Sequence, residues 1–356
     1  MKIVFFSGGI ERSGGTEKAL CNIASGLAER NYEVLIVSLT GSSIPFFKVS
    51  EKVRIISAGA VTLTGNIVAN IRFLKNLVNT EKPDIWIDVD IILGVYSLIL
   101  KSGNQNMKLV SWDHFNFDHK FERLNGIRKV IRRLLCRFSD SILVLTKSDN
   151  NKYTKKYRLR HQINQIYNPV DIPSMADNED KENIILSMGW IERVKGFDRL
   201  LKAWERIYKD LPDWKVIIVG EGSEKERLIK YVSENNIERV EFMERTQNPG
   251  EYYRRASIYA LPSRSEGFPM VLLEAMSYGV PCVAFLCSDG IGELISNDVD
   301  GILVGNDDIE GFSNGLTKLV NDGNIRDNMR HIAQNRAEDF KTEVILDQWE
   351  EMLAGL

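Results

Sequence analysis

The sequence predicts an α/β protein made of two doubly wound halves, each with a parallel sheet covered by helices on both faces. Three observations support this fold class. The chain has 356 residues, enough for two domains that each bury a hydrophobic core. Short β-rich runs alternate with helical periodicity along both halves, as in repeated β-α-β units. A polar segment at residues 171–182 separates the two series and predicts an interdomain linker.

The first half begins with a strand, a glycine loop and a helix. Residues 2–6 form a β-rich run, and apolar residues between Ala19 and Ala28 recur at helical spacing. Further apolar runs follow at intervals that leave room for helices. They predict strands at residues 33–39, 84–88, 108–112 and 141–146.

The second half repeats this alternation after the polar segment. Strands are predicted at residues 183–188, 215–219, 240–243, 258–261, 281–285 and 301–304. Ligands of open parallel sheets bind outside the carboxyl ends of the strands. With two facing halves, we expect the site in the cleft between them.

The composition excludes several other classes of protein. Charged residues are 27% and hydrophobic residues 44% of the chain, and the net charge is -3. This balance is typical of globular proteins and argues against a general nucleic-acid binder, so no nucleic-acid partner is expected. The cysteines form no C-x-x-C pair, which argues against a zinc ribbon or a disulfide scaffold. They are Cys21, Cys136, Cys282 and Cys287.

No segment has the pattern of a secretory signal or of a membrane-spanning helix. The apolar run at the start meets Gly8 before it reaches the length of a signal sequence. The most apolar later stretch, residues 91–100, is well short of the roughly 20 residues that span a bilayer. A reduced cytoplasmic location is therefore expected.

The loop at residues 7–16 follows the first strand and opens the first helix. It contains four glycines, and a helix N-terminus favours anions such as phosphate. The loop is neither a G-x-G-x-x-G motif nor a Walker loop. Phosphate binding and a plain strand-to-helix turn remain equally good interpretations of this loop by itself.

The densest signal lies at residues 263–276, where a strand, a loop and a helix follow one another. Gly267 suits a tight turn, and Pro269 suits the first turn of a helix. Glu266 then lies in the loop and Glu274 about two turns along the helix, at most about 12 Å away. Carboxylates accept hydroxyl groups, and the N–H groups of residues 268–270 would face a diphosphate. A nucleotide-sugar fits this span. For such a pair alone, an ordinary helix with a capping acid and a surface Glu is the favoured interpretation, because Glu is common on helices.

Several segments together resemble the retaining glycosyltransferases of family 4, which have the GT-B fold of two Rossmann-like domains. The run E-G-F-P-M-V-L-L-E, from Glu266, resembles the E-x7-E signature of this family, and residues 7–16 resemble its N-terminal Gly-Gly loop. The runs K-G-F-D from Lys195, G-E-G from Gly220 and S-W-D-H-F from Ser111 are similar to further segments. The resemblance covers nearly the whole chain. Within this family, the sequence is especially similar to galactosyltransferases of lipopolysaccharide core and exopolysaccharide assembly.

The resemblance implies roles for the matching residues. Glu266 would hold hydroxyls of the donor sugar, and Glu274 would hold the ribose. Lys195 would neutralise the diphosphate, and His114 would lie against the far side of the sugar. The family has Gly-Arg where this chain has Gly189 followed by Trp190, and Arg193 would replace the missing arginine. The implied catalytic residues are His114, Glu266, Lys195 and Arg193.

The donor-binding residues implied by the resemblance are mostly backbone groups. Gly14 and Gly15 would approach the diphosphate or the acceptor, and Glu221 with Gly222 would line the base pocket. The full implied set is Gly14, Gly15, Gly189, Glu221, Gly222, Gly267, Phe268, Pro269, Met270 and Glu274. The implied domains are residues 1–169 on the acceptor side, residues 170–341 for the nucleotide-sugar, and a C-terminal helix at 342–356 that packs back on the first domain.

The implied reaction moves a hexose from a UDP-sugar to a lipid-linked, lipopolysaccharide or exopolysaccharide acceptor with retention at the anomeric carbon. Galactose is favoured, and UDP-N-acetylhexosamine, UDP-glucose and GDP-mannose are alternative donors. A UDP-sugar epimerase on the same fold is the alternative of another class. No cofactor and no metal are expected, and the D-x-D patterns at residues 88–90 and 298–300 are interpreted as chance.

Positive charge is concentrated at residues 118–160, which hold 13 Lys or Arg and 4 Asp or Glu. A helix in this zone would place Ile127, Val130, Ile131, Leu134 and Leu135 on one face, with Arg128, Lys129, Arg132, Arg133 and Arg137 on the others. Such a helix can lie on an anionic membrane surface. This predicts peripheral attachment to the inner face of the cell membrane. An ordinary core-facing helix with a solvated basic side is an equally good interpretation.

Overall fold

The computed structural model describes residues 1–60, 62, 65–119, 125–159, 161–173 and 181–356. Most of the predicted linker, residues 174–180, lies outside this set. The end of that linker was predicted wrongly, because Glu182 is already the first residue of a strand. Its carboxylate pairs with Arg255.

The first part of the chain alternates seven strands with five helices among the described residues. The elements, in order, are β1 (Lys2–Ser7), α1 (Gly15–Glu29), β2 (Glu33–Thr40), β3 (Arg54–Ala60), α2 (Ile67–Glu81), β4 (Ile85–Val89), a 3-10 turn (Ile91–Leu93), α3 (Gly94–Gly103), β5 (Lys108–Asp113), α4 (Asn125–Phe138), β6 (Ser141–Val144), α5 (Lys147–Lys156) and β7 (Ile163–Gln165).

The second part repeats the alternation and ends in three longer helices. Its elements are β8 (Glu182–Met188), a 3-10 turn (Arg193–Lys195), α6 (Phe197–Ile207), a 3-10 turn (Tyr208–Asp210), β9 (Lys215–Val219), α7 (Lys225–Glu234), β10 (Val240–Met243), α8 (Gly250–Arg255), β11 (Ala256–Leu261), α9 (Met270–Ser277), β12 (Cys282–Leu286), α10 (Asp289–Leu294), β13 (Gly301–Gly305), α11 (Ile309–Asn321), α12 (Gly323–Ala337), a 3-10 turn (Glu338–Phe340) and α13 (Thr342–Ala354).

These elements form two compact units. Unit 1 combines Met1–Pro169 with Thr342–Leu356, and unit 2 is Val170–Lys341. The sheet of unit 1 has the order β3-β2-β1-β4-β5-β6-β7, and the sheet of unit 2 has the order β10-β9-β8-β11-β12-β13. All the pairings are parallel. The α/β class with two doubly wound sheets is therefore confirmed.

The order of each sheet explains where ligand-binding loops lie. Both sheets start at a central strand, β1 or β8, and continue outwards on both sides of it. Loops on the two sides of such a switch point diverge and leave a crevice at the carboxyl ends of the strands. The loop between β1 and α1 and the loop after β8 both leave these central strands at that edge.

The C-terminal helix α13 belongs to unit 1. It packs on α1, and its fully buried Trp349 lies 5.9 Å from Phe5 and 4.9 Å from Trp112, measured between ring centroids. Arg30, just after α1, pairs with Asp347 and Glu350 on α13. The helix thus closes the face of the sheet that carries Phe5 and Trp112.

Helix α4 does not have the apolar face predicted from its sequence. Ile131 and Leu135 are buried, but Ile127, Val130 and Leu134 are exposed. The predicted basic faces are also wrong in part, because Arg128 and Arg132 are buried. The reason is tertiary: each of these two arginines has an aspartate partner in the core of unit 1, which rotates the helix. Among the described residues no helix is long and apolar enough to cross a membrane.

Candidate functional site

The loop between β11 and α9 holds a buried carboxylate. Glu266 is 7% exposed, and its oxygens accept hydrogen bonds from Lys195 Nζ at 2.8 and 3.0 Å and from Ser263 Oγ at 2.6 Å. A carboxylate so far removed from water needs such partners. Lys195 comes from the 3-10 turn after β8, so the structure brings two predicted catalytic residues together within unit 2.

The second predicted acid, Glu274, lies on α9 and is also 7% exposed. It accepts a hydrogen bond of 2.9 Å from the hydroxyl of Tyr253, which lies at the end of α8. Burial, followed by the charge of Glu274, raises the pKa of Tyr253 well above its ordinary value, so this phenol remains a donor. Tyr253 therefore fixes the position of Glu274, and no sequence pattern indicated this partner.

The start of α9 differs from the predicted one. The helix begins at Met270, and Pro269 is its N-cap with an extended backbone. Because proline has no N–H, only Phe268 and Met270 of the predicted trio can donate to an anion. Gly267 has no positive φ, so its turn does not need glycine for conformational reasons. The helix start, with the positive end of the helix dipole, still favours a negatively charged ligand.

Three glycines shape the loops after β8 and β9. Gly189, Gly220 and Gly222 have φ values of +152°, +155° and +158°. A Cβ on Gly220 would collide with the carbonyl of Gly189, and a Cβ on Gly222 would collide with the backbone of Ile191. Hydrogen bonds from Gly189 N to Val219 O at 3.1 Å and from Ile191 N to Glu221 O at 2.7 Å lock the two loops together. Only glycine fits these positions.

Two predicted site residues of unit 2, Glu221 and Arg193, contact residues outside the predicted site. The Glu221 carboxylate pairs with Lys225 at 2.9 Å, one turn along at the start of α7. Arg193 is exposed, and its carbonyl accepts a hydrogen bond of 2.8 Å from Arg264. Trp190 is half-buried and occupies the position after Gly189 where the family has arginine.

One functional neighbour was missed from the sequence. Arg199 on α6 is 2% exposed and donates to the carbonyls of Pro262 and Ser263 at 3.3 and 3.0 Å. It lies over the ring of Phe285, 4.7 Å from the centroid. Arg199 thus holds the chain just before Glu266. Its position directly after the K-G-F-D run was the signal that could have identified it.

In unit 1 the predicted glycines lie where β1 passes into α1. Gly14 is the N-cap of α1, with an extended backbone, and Gly15 is its first residue. The side chain of Glu17 folds back beside Gly14 and occupies the place where a Cβ would lie. Burial raises the pKa of Glu17.

His114 follows β5 in unit 1 and is 6% exposed. Its ring lies 4.1 Å from that of Trp112, and its buried Nε2 has no hydrogen-bond partner in the described part of the chain. Burial lowers the pKa of His114 to about 3, although the charge of Asp113 opposes this shift. The imidazole is therefore neutral at physiological pH, and its free nitrogen can hydrogen-bond a ligand.

A buried polar network around Asp113, the residue before His114, holds this segment in place. Asp113 is 2% exposed and accepts hydrogen bonds from Arg132 at 2.9 and 3.2 Å and from the Tyr153 hydroxyl at 2.5 Å. Arg132 also donates to the carbonyl of Phe117 at 2.8 Å. These bonds join β5, α4 and α5 and fix the segment that carries His114.

The D-x-D patterns have other partners. Burial raises the pKa of Asp88 to about 8, and the Asp88 carboxylate accepts hydrogen bonds from Trp86 and Ser97. Asp90 pairs with Arg128 at 2.5 Å. Asp298 pairs with Lys318 at 2.7 Å, and Asp300 accepts a bond of 2.7 Å from the N–H of Ser296. Across the described residues no cluster of three metal-ligating side chains occurs.

Relatives match most or nearly all of the chain. An uncharacterized glycosyltransferase of Haemophilus influenzae is 35% identical over 99% of both chains. The Campylobacter jejuni enzyme named GalNAc-alpha-(1->4)-GalNAc-alpha-(1->3)-diNAcBac-PP-undecaprenol alpha-1,4-N-acetyl-D-galactosaminyltransferase is 28% identical over 99% of this chain and 98% of its own. The lipopolysaccharide 1,6-galactosyltransferase of Escherichia coli K12 is 29% identical over 70% of this chain and 69% of its own.

Solved structures show the same fold. The Anabaena protein HepE, in a crystal structure with UDP-glucose, superposes with a TM-score of 0.82 at 19% identity and covers all of both chains. Residues 13–173 match the family described as Glycosyltransferase Family 4, and residues 172–336 match the family described as Glycosyl transferases group 1. The chain therefore belongs to the glycosyltransferases of the GT-B fold, with a Family 4 segment followed by a group 1 segment, and is a transferase enzyme.

Proposed function

We propose that the chain transfers a hexose from a UDP-sugar, with retention of the anomeric configuration, to a lipid-linked or lipopolysaccharide-type acceptor. The observation that carries this proposal is the arrangement of two buried carboxylates at the start of α9. Glu266 lies before the helix with Lys195 as its cation, and Glu274 lies on it with Tyr253 as its donor. The start of this helix carries the positive end of the helix dipole, which favours the diphosphate that joins sugar and ribose.

The proposed roles follow from the chemistry of these groups. Carboxylate oxygens accept hydrogen bonds, so Glu266 is assigned to sugar hydroxyls and Glu274 to the ribose hydroxyls. Lys195 is a partly exposed cation beside Glu266, and it is assigned to the diphosphate, whose negative charge increases as the sugar leaves. His114 is neutral and is assigned to a hydrogen bond with the sugar rather than to charge stabilisation.

The proposed chemical step is an internal return. The bond between the anomeric carbon and the diphosphate oxygen breaks, and the acceptor oxygen attacks the same face of the sugar. The acceptor proton passes to the departing diphosphate oxygen, so that UDP itself is the base. The protein contributes position and charge stabilisation, and no metal is assigned to the step.

The donor and the acceptor are supported by the relatives and not by this chain's residues alone. Galactose is favoured because the E. coli relative is named a galactosyltransferase, and N-acetylgalactosamine is the alternative from the C. jejuni relative. UDP-glucose, which is bound to HepE, and GDP-mannose complete the candidates. None of the three relatives and neither of the two matching families is named an epimerase.

Binding and product analysis test this proposal. A thermal-shift screen of UDP- and GDP-sugars identifies the donor, since a ligand at about 100 times its Kd stabilises by about 2.7 kcal/mol. NMR of the product formed on a lipopolysaccharide acceptor gives the anomeric configuration. An inverted product contradicts the retaining mechanism. Interconversion of UDP-sugars without acceptor identifies the epimerase alternative.

A second part of the proposal is attachment to an anionic membrane surface at α4. Four apolar side chains, Ile127, Val130, Leu134 and Phe138, are 51%, 59%, 38% and 50% exposed. Exposed cations lie among them on the same helix. Liposome co-sedimentation with and without anionic lipid tests this attachment. Equal sedimentation, or none, contradicts it.

A further inference from the structure

A second concave site lies in unit 1, at the C-terminal ends of α4 and α5. It is a cavity of about 590 Å³ with cationic side chains around it. Arg133 and Arg137 come from α4, Lys156 ends α5, and Arg158 follows two residues later. The cavity shares no residue with the donor-binding set or with His114.

The four cations of this basic pocket differ from other cations nearby in that they lack a carboxylate partner among the described residues. Arg128, Arg132 and Lys152 each pair with an aspartate, at 2.5, 2.9 and 2.7 Å. The four cations of the basic pocket have no carboxylate at ion-pairing distance in the part of the chain that is described, and all four are exposed. Like charges gathered around one cavity repel each other, and an anion bound among them removes this repulsion.

Helix dipoles explain only part of this arrangement. A cation in the last turn of a helix is stabilised by the helix dipole, by about 0.3 to 1 kcal/mol. Arg137 and Lys156 lie in last turns, but Arg133 lies one turn earlier and Arg158 lies beyond the end of α5. Dipole stabilisation therefore gives no reason for the two arginines that complete the pocket.

The surface next to the pocket indicates the source of the anion. Val130, Leu134 and Phe138 recur every four residues on α4, so they lie on one face, and Leu134 and Phe138 each directly follow a pocket arginine. Lipids that carry a phosphate present a charged head beside apolar chains. The pocket and this exposed apolar stripe match both parts.

We propose that the basic pocket binds the phosphate group of a lipid headgroup, with the apolar stripe of α4 against the acyl region. Arginine guanidinium groups bind phosphate through paired N–H donors, which makes Arg133, Arg137 and Arg158 the principal ligands. The choice of a lipid as the source of the phosphate depends on the proposed lipid-linked acceptor, whereas the phosphate site itself does not.

The test compares two double variants that remove the same charge. Arg133→Ala/Arg158→Ala removes two pocket cations, whereas Lys129→Ala/Lys155→Ala removes two exposed cations, one on α4 and one on α5, that do not line the pocket. Full-length protein, saturated with UDP to occupy the donor site, is titrated with phosphatidylcholine vesicles that contain or lack phosphatidic acid. Inorganic pyrophosphate is titrated separately by calorimetry.

We expect binding to the phosphatidic acid vesicles and much weaker binding to phosphatidylcholine alone. A hydrogen bond to a charged group contributes about 1.5 kcal/mol or more, which is about 13-fold, so loss of two phosphate-binding arginines is expected to weaken binding by about 150-fold or more. A cation that only faces the membrane contributes about fivefold, so the control variant has a ceiling of about 25-fold. The control variant is expected to lose clearly less. Equal losses overturn the proposal, because they indicate diffuse surface charge, and so does absence of binding to both vesicles and pyrophosphate.

The remaining outcomes separate the sources of the phosphate. Pyrophosphate binding that only the pocket variant loses, with no selective vesicle binding, confirms the phosphate site and overturns the lipid as its source. Thermal shifts with UDP report the donor site independently. A pocket variant that loses lipid binding but keeps its UDP shift separates failure of this site from failure of the proposed function.

Discussion

Replacing His114 by glutamine is expected to remove a pH dependence from the stability of unit 1. Burial holds the pKa of His114 at about 3, whereas a histidine in the unfolded chain titrates near about 6.5. Below that pH the unfolded state binds a proton that the folded state does not, so stability is lost as pH falls. Each pH unit costs about 1.36 kcal/mol, which gives about 2 kcal/mol at about pH 5.

The measurement is urea unfolding of both proteins at about pH 7.5 and about pH 5. Hydrogen exchange in peptides from β5 reports on unit 1 by itself, because a protein of two units need not unfold in one step. The stability difference between wild type and His114→Gln is expected to change by about 2 kcal/mol, in favour of the variant, at the lower pH. His331→Gln, at an exposed histidine of α12, serves as the control. Parallel pH profiles of wild type and His114→Gln would refute the argument for a buried neutral imidazole.

Three further predictions concern unit 2. Glu274→Gln is expected to weaken UDP-sugar binding by about tenfold or more, because a charge-assisted hydrogen bond is lost. Tyr253→Phe is expected to weaken binding by less, because it only loosens Glu274. Calorimetric titration of UDP-sugar measures both losses, and unchanged melting temperatures show that both variants are folded. Gly222→Ala is expected to cost about 1 to 3 kcal/mol of stability and to reduce UDP binding. Gly126→Ala on α4 is the control, because a Cβ at Gly126 meets nothing within 4 Å. Similar melting temperatures for the two variants would contradict the clash at Gly222. Trp190→Arg is expected to raise kcat by restoring a cation for the diphosphate, and an unchanged or lower kcat in steady-state assays would count against that role.

Eleven of the thirteen strands in the described part of the chain could be predicted from the sequence, and two could not. Lys215–Val219 and Val240–Met243 have the predicted bounds, and the other predicted strands differ by one or two residues at one or both ends. The strands β3 and β7 were missed. β3 is an edge strand of mixed burial that contains Ala58 and Gly59, and β7 has only three residues. Such segments lack the continuous apolar pattern that identifies a strand.

The candidate site could be predicted as a set of residues but not as a set of contacts. The E-x7-E pattern identified Glu266 and Glu274, and the structure supplies what holds them. Tyr253 is a partner that only folding brings to Glu274, from a helix 21 residues earlier in the chain. Ser263 lies three residues before Glu266, and Arg199 directly follows the K-G-F-D run, but neither position by itself indicates the hydrogen bond that the side chain makes. The start of α9 was also displaced, because an extended proline at position 269 ends the loop one residue later than expected.

The basic zone shows why charge alone does not predict a surface. Helix α4 carries Arg128 and Arg132 inside unit 1, where Asp90 and Asp113 neutralise them. A buried arginine without its aspartate would cost several kcal/mol, so these pairs fix the rotation of the helix about its axis. That rotation turns Val130 and Leu134 towards solvent, and with them the arginines that line the basic pocket. The same two aspartates therefore determine which face of α4 is exposed for the proposed lipid. If that proposal holds, substitutions of Asp90 or Asp113 are expected to weaken binding to phosphatidic acid vesicles although neither side chain lines the basic pocket.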